Sequence, residues 1–191
     1  DNIGIGYAAL GGAVAGGEKN VVVGNYAGDA LTSADYSVMI GHEAGSGVTT
    51  GGRNVFVGYN TGKQVTTTTG NTFVGTYIGF AGSGAGSSNT IMGDSTATSL
   101  TGSENTIVGQ STANALTSGS KNTIIGQYAG SGSLNTGSKN LLLGYDAGDN
   151  ITSGDANVVI GKADVASATG DRQLSISAGD GGVTWLTGTS A

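Results

Sequence analysis

Few residues in this chain have types and spacings that could do chemistry. His42 is the only histidine, which removes any multi-histidine metal site. It stands beside Glu43, so a Ser-His-acid arrangement is conceivable in a serine-rich chain. No nucleophile-elbow motif accompanies it, and it reads as a solvated surface histidine. Asp146, Asp149 and Asp155 form one acidic cluster, and Asp164, Asp171 and Asp180 another near the end. Calcium uses such oxygens, but neither spacing is that of an EF-hand or a glycine-rich calcium repeat, so both read as solvated turns. The run from Gly82 to Gly86 lacks the Gly-Lys-Ser/Thr of a phosphate loop and reads as a turn. Tyr7, Tyr26, Tyr59, Tyr77, Tyr128 and Tyr145 recur just after glycines. Such rings stack on sugars, but they also pack over turns with the hydroxyl in water, and the second reading is preferred. Lys19, Arg53, Lys121 and Lys139 read as solubilising loop charges, and Asn150-Ile151-Thr152 is a lone glycosylation sequon. No catalytic, metal or cofactor site is expected.

The elements that carry these residues follow from composition. The 191 residues include 38 glycines, no proline and no cysteine, with 10% charged. Collagen needs a Gly-X-Y triplet and proline, and neither is present. A disordered chain would be richer in charge and poorer in β-branched residues. The net charge of -6, with scattered basic residues, argues against nucleic acid. No apolar run approaches the ~18 residues of a membrane helix, and no signal peptide is seen. Asp1 falls inside a repeat and the chain stops in a Ser/Thr/Gly stretch, so a fragment or processed product is expected.

An internal repeat then decides the architecture. A motif of Asn, three apolar or Thr residues and Gly occurs ten times, starting at Asn2, Asn20, Ser37, Asn54, Asn71, Asn89, Asn105, Asn122, Asn140 and Asn157. The matching glycines are Gly6, Gly24, Gly41, Gly58, Gly75, Gly93, Gly109, Gly126, Gly144 and Gly161. A small pair such as Ala27-Gly28 or Ala147-Gly148 follows, then a second apolar column: Val14, Leu31, Val48, Val65, Leu100, Leu116, Leu134 and Ile151. Thr or Asn usually comes next. Each repeat of ~17 residues therefore reads as two short strands and two turns, too little to fold alone. Stacked in register, ten such coils form an all-β parallel solenoid. At ~4.8 Å per coil it is on the order of 48 Å long. The Asn column is expected to form a hydrogen-bonded ladder, and the Gly column to take positive φ or allow close backbone approach. Residues 1–165 form the repeat domain, and 166–191 a cap or a transition to another segment.

Inside the motif the side chains alternate in direction. The outer residues are apolar, as in Val21 and Val23. So is the middle column: Val22, Met39, Phe56, Phe73, Ile91, Ile107, Ile124, Leu142 and Val159. One face fills the coil; the other would be a continuous apolar stripe, which soluble monomers rarely expose. The middle column is assigned to a subunit interface around a symmetry axis.

Strings such as NVVVG, NTIVG, NTIIG and NVVIG resemble the repeats of YadA-like heads of trimeric autotransporter adhesins. Phage tail-fibre and other virion fibre proteins carry the same kind of repeat, often as NTAVGYxAL; DNIGIGYAAL at the start of this chain comes close, and NTIIGQYAG and NLLLGYDAG are nearer variants. The resemblance covers residues 1 to about 165 and implies a left-handed parallel β-roll, three chains per rod. The tail, TGDRQLSISAGDGGVTWLTGTSA, resembles segments that follow such repeats in structural proteins of marine tailed phages. The last repeat departs from the pattern, reading Gly161-Lys162-Ala163-Asp164-Val165 without the small pair. It is read as a cap or a handover to a different fibre segment, with Trp185, Val183 and Leu186 expected to pack against the end of the roll.

The function expected from this is a homotrimeric fibre segment on a virion surface or otherwise extracellular. Its partners would be other fibre segments and a cell-surface glycan or protein receptor, without nucleic acid or membrane insertion. The alternative is the head of a bacterial adhesin. An ice-binding solenoid is a remote third, because the Thr columns at 72, 90, 106 and 123 and at 32, 49 and 66 do not span the rod. An enzyme is not expected, since an active site should disturb the repeat with an inserted loop.

Overall fold

A computed structural model describes residues 1–12, 16–79, 86–177 and 184–188. The chain is an all-β parallel solenoid of about ten turns. Ten strands carry the motif: β1 (Ile3–Ile5), β2 (Val21–Val23), β3 (Val38–Ile40), β4 (Val55–Val57), β5 (Thr72–Thr76), β6 (Thr90–Asp94), β7 (Thr106–Val108), β8 (Thr123–Ile125), β9 (Leu141–Leu143) and β10 (Val158–Ile160). Two more follow, β11 (Leu174–Ser177) and β12 (Thr184–Gly188). All twelve lie in one sheet in chain order. Each of β1 to β10 pairs in parallel with the next, like columns in register, as in Phe56↔Phe73 and Ile107↔Ile124. Only β12 turns back, antiparallel to β11.

Two columns hold the coils in register. The first is the amide ladder. Asn122 Oδ1 accepts the Asn140 backbone N–H at 2.9 Å, and Asn122 Nδ2 donates to the Gly137 carbonyl at 2.9 Å. This pattern repeats along the rod, and Asn20, Asn54, Asn71, Asn89, Asn105, Asn122, Asn140 and Asn157 are all buried. A carboxamide is well suited here because it carries both an acceptor and a donor. Ser37 takes the Asn54 N–H at 3.2 Å, but its hydroxyl donates back to Asp35 O at 3.4 Å in its own turn and not to the next coil. Asn54 then turns its own Nδ2 to the Gly51 carbonyl.

The second column is the motif glycine. Gly58 has φ +129°, and a Cβ built on it would lie 1.7 Å from the Gly75 carbonyl oxygen. Gly24, Gly75, Gly93, Gly109, Gly126 and Gly144 repeat both features: φ between +131° and +153°, and a Cβ that would meet the next glycine's backbone. Positive φ and close approach were alternatives in the sequence; here they coincide.

The core is the narrow interior of the coil. It stacks the middle strand column on the second apolar column, with the small residues Ala27, Ala44, Ala129 and Ala147 between them. Phe56 and Phe73 stack at 5.0 Å. They are accommodated because Gly62 and Gly79 face them, where a Cβ would come within 2.6 and 3.0 Å of the rings.

The structure corrects three expectations. The second apolar column is not a strand. Leu31, Val48, Val65 and Ile151 each donate their N–H to a carbonyl three residues back in their own turn, leaving the following residue as the rung. Thr32 N to Thr49 O, Thr49 N to Thr66 O and Thr117 N to Asn135 O are such rungs, at 2.8–3.0 Å. Secondly, the ladder runs past residue 165. β11 pairs in parallel with β10, and Gln173 takes the Asn position, accepting from its own turn while its N–H donates to Asn157 Oδ1 at 2.8 Å. Thirdly, the residues assigned to a subunit interface, Val22, Met39, Phe56, Phe73, Ile91, Ile107, Ile124, Leu142 and Val159, are each 0% exposed in the single chain. The return segment of each coil passes beneath the strand, so the middle side chain points at Leu31-type residues and its two neighbours point out. The expected packing of Val14, Val183, Trp185 and Leu186 lies outside the described residues and side chains.

Candidate functional site

The outward sheet face is built from the two flanking columns. The C-terminal one is aliphatic or Met at every rung from Ile5 to Ile176. Ile5, Ile40, Met92, Ile125 and Ile160 keep 37–60% of their surface open. The N-terminal column is apolar at Ile3, Val21, Val38 and Val55, turns to Thr at 72, 90, 106 and 123, and is apolar again at Leu141, Val158 and Leu174. Eleven rungs at ~4.8 Å and two columns ~7 Å apart give an apolar strip on the order of 400 Å². That is as large as the largest patch of an ordinary monomer, and such patches are often functional.

Beside this face, the turn after the motif glycine carries rings in a line. Tyr7 meets Tyr26 at 5.3 Å, Tyr26 meets His42 at 6.1 Å, His42 stacks on Tyr59 at 5.4 Å, and Tyr59 meets Tyr77 at 5.3 Å. A second pair, Tyr128 and Tyr145, lies further along at 6.1 Å, with Lys162 Nζ 5.3 Å from the Tyr145 ring centre. The lone histidine is thus one member of an exposed aromatic column. Its neighbour Glu43 is bonded to Lys63 of the next coil. Burial, then the Glu43 charge, pushes the Asp29 carboxyl above its ordinary range.

The opposite flank, just before the ladder Asn, holds Lys19, Arg53, Lys121 and Lys139. All four sit at φ of 58–63°, a left-handed conformation that sequence reasoning did not anticipate. Long side chains give no local signal for it, since such turns usually select Gly or Asn. Lys19 Nζ donates to the Tyr36 hydroxyl at 3.1 Å, and that bond and charge raise its pKa.

The acidic clusters are divided by the fold. Asp155 accepts from the Ser138 N–H and Asp171 from the Asp155 N–H, on the flank before the ladder Asn. Asp146, Asp149 and Asp164 lie together across the rod, around a cavity of about 410 Å³ with Lys162, Ala163, Ser175 and Ser177. Among the described residues, no group of three acidic or histidine side chains is placed to hold a metal ion. Asp180 and residues 82–85 lie outside the described residues. The sequon side chain Asn150 is tied at both ends to Val165, donating to its carbonyl at 2.8 Å and accepting its N–H at 3.1 Å.

Fold and surface together define a parallel β-solenoid repeat protein with an open apolar sheet face. Compared with known proteins, the chain matches no family model, no curated sequence and no solved structure at a significant level.

Proposed function

We propose that the chain is a rod segment of an extracellular fibre, most simply a virion tail fibre used in host attachment, assembled as a homotrimer. The observation that carries this reading is the outward sheet face, apolar along the whole length of the rod and open in the single chain. Regular stacking, with the Asn and Gly columns closing all but the third and last coils, makes a continuous rod, which suits a fibre. The YadA-like form of the repeat supports three chains around one axis. The occupant of the axis is the pair of flanking columns, not the middle column. A cell-surface glycan or protein would be the receptor, and other fibre segments the axial neighbours.

The mass of the purified chain in solution tests this. Light scattering should give three times the chain mass, and Ile125→Glu or Met92→Glu, both exposed on the face, should shift the species toward monomer. A parent protein that stays monomeric across micromolar concentrations would refute the trimer. The bacterial adhesin head shares the same assembly; binding to candidate bacterial hosts as against animal matrix proteins separates the two.

A further inference from the structure

The two positions after the motif glycine follow a rule of their own. In each of the first five coils one of the two is a ring: Tyr7, Tyr26, His42, Tyr59 and Tyr77. The other is small or polar: Ala8, Asn25, Glu43, Asn60 and Thr76. The rings change from one column to the other along the rod, yet each meets the next at 5.3–6.1 Å. Coil closure does not ask for them. The second-position N–H donates to the first-position carbonyl of the preceding coil whichever residues stand there: Tyr26 to Tyr7, Glu43 to Asn25, Asn60 to His42 and Tyr77 to Tyr59. Tyr26 and Tyr77 even stand at φ 58° and 52°, where Asn or Gly is the less strained choice. The line ends at the next two coils, which carry Asp94-Ser95 and Gln110-Ser111 instead.

The chemistry of this line specifies an occupant. Tyr7, Tyr26, Tyr59 and Tyr77 are 38–69% exposed. A hydrogen bond between the Tyr59 and Tyr77 hydroxyls, which raises the Tyr77 pKa, ties two of the rings together. At ~4.8 Å per coil the five rings make a track on the order of 20 Å long. The pyranose units of an extended glycan repeat at close to the height of one coil. An aromatic ring takes the C–H face of a sugar, and the carboxamide or hydroxyl beside it offers partners to the sugar hydroxyls. Asn60 adds an independent observation. It is 4% exposed, stands in the second column between Glu43 and Tyr77, and its Oδ1 has no hydrogen-bond partner among the described residues. A buried carboxamide oxygen without a donor is uncommon, and a ligand hydroxyl seated between Tyr59 and Tyr77 provides one. Glu43, the charged member of these pairs, is offset by Lys63. The net charge of -6 disfavours an acidic polymer.

We infer that the ring column from Tyr7 to Tyr77 is a binding track for a neutral, extended glycan, about one sugar unit per coil, with Asn60 as a polar contact. This deepens the fibre reading and rests on it for the glycan's role as receptor; the track itself lies within one chain.

Titration of the full chain with cellohexaose and with N-acetylchitohexaose, followed by NMR of the tyrosine ring signals, tests it. At least one should bind with a dissociation constant on the order of 1 mM or below, shifting Tyr26, Tyr59 and Tyr77 but not Tyr145, and more tightly than its disaccharide. Tyr59→Asn should weaken binding about tenfold at an unchanged melting temperature, because Asn25 already fills that position. Asn60→Ala should weaken it about fivefold; Ala8 holds the equivalent place at φ 55°. Tyr145→Asn should leave it unchanged. Absence of binding by both oligosaccharides overturns the proposal, as does unchanged affinity in Tyr59→Asn. A Tyr59→Asn chain that changes its solution mass, with no sugar bound by the parent, overturns it in favour of a subunit contact. A chain that scatters as a monomer yet binds supports the track while refuting the trimer; a trimer that binds neither sugar does the reverse.

Discussion

Replacing Asn122 by alanine isolates what one rung of the amide ladder contributes. Asn122 is 1% exposed, accepts the Asn140 N–H at 2.9 Å, and donates to Gly137 O at 2.9 Å and Asn105 Oδ1 at 3.1 Å. Alanine leaves the Asn140 N–H and the Gly137 carbonyl buried without partners. At about 1–3 kcal/mol for each such group, the loss is on the order of 4 kcal/mol. The third coil supplies an internal control, because Ser37 there accepts the Asn54 N–H without donating to the next coil, its hydroxyl going to Asp35 O. Asn122→Ser should therefore keep the Asn140 bond and lose about half as much, ~2 kcal/mol. The assay is urea unfolding at one fixed protein concentration, since self-association would shift the midpoint by mass action. Native-state hydrogen exchange at the Asn140 amide accompanies it, since a repeat rod can open locally. Equal losses for alanine and serine would refute the division of labour within the carboxamide. A loss under about 1 kcal/mol for alanine would refute the ladder as a main source of stability.

Further substitutions probe other columns. Ser37→Asn completes the interrupted ladder and should raise stability by about 1 kcal/mol, the net gain of one buried hydrogen bond; an unchanged urea midpoint would count against it. Gly58→Ala must place a Cβ 1.7 Å from the Gly75 carbonyl oxygen, whereas at Gly70 the nearest atom would be 3.7 Å away. Gly58→Ala should thus cost more than about 4 kcal/mol. Gly70→Ala should cost only the left-handed backbone penalty of about 1–2 kcal/mol, and thermal melts of the two should separate widely. Phe73→Ala empties a fully buried site stacked on Phe56 and should cost about 3–5 kcal/mol, read by chemical unfolding. Because the folded pKa of Asp29 lies above its ordinary 3.8, the protein binds a proton there more readily folded than unfolded. Its contribution to stability is present at acid pH and falls as pH rises through the folded value. Asp29→Asn should raise the melting temperature at pH 7 and flatten the profile above pH 4; an unchanged pH profile would contradict the assignment.

Periodicity alone carried much of the architecture. A 17-residue schedule of Asn, apolar triplet and Gly admits little except in-register stacking, so the parallel ladder, the buried amides and the glycine spine were legible before any coordinates. That one face of the strand must stay open was legible too, because all three positions of the triplet are apolar in five of the ten coils and the third is apolar in every one. Which face it is was not. Alternation says that Val22 and its neighbours Val21 and Val23 point opposite ways, but both sides read alike. Only the path of the return segment, which brings Leu31 and its equivalents beneath the sheet, put the middle column inside. The same limit hid the left-handed turn at Lys19 and Arg53, whose long side chains carry no conformational signature. The eleventh rung escaped because Gln173 and Ser177 stand where Asn and Gly were sought, though the carboxamide chemistry is the same. As for the cavity, Asp146, Asp149 and Asp164 were visible as acidic residues, but their convergence depends on stacking across coils. The distances that bring Ser175 to the same place exist only once the chain is wound. Local chemistry and period determine what repeats; the closure of each coil decides which side faces in and what meets across the stack.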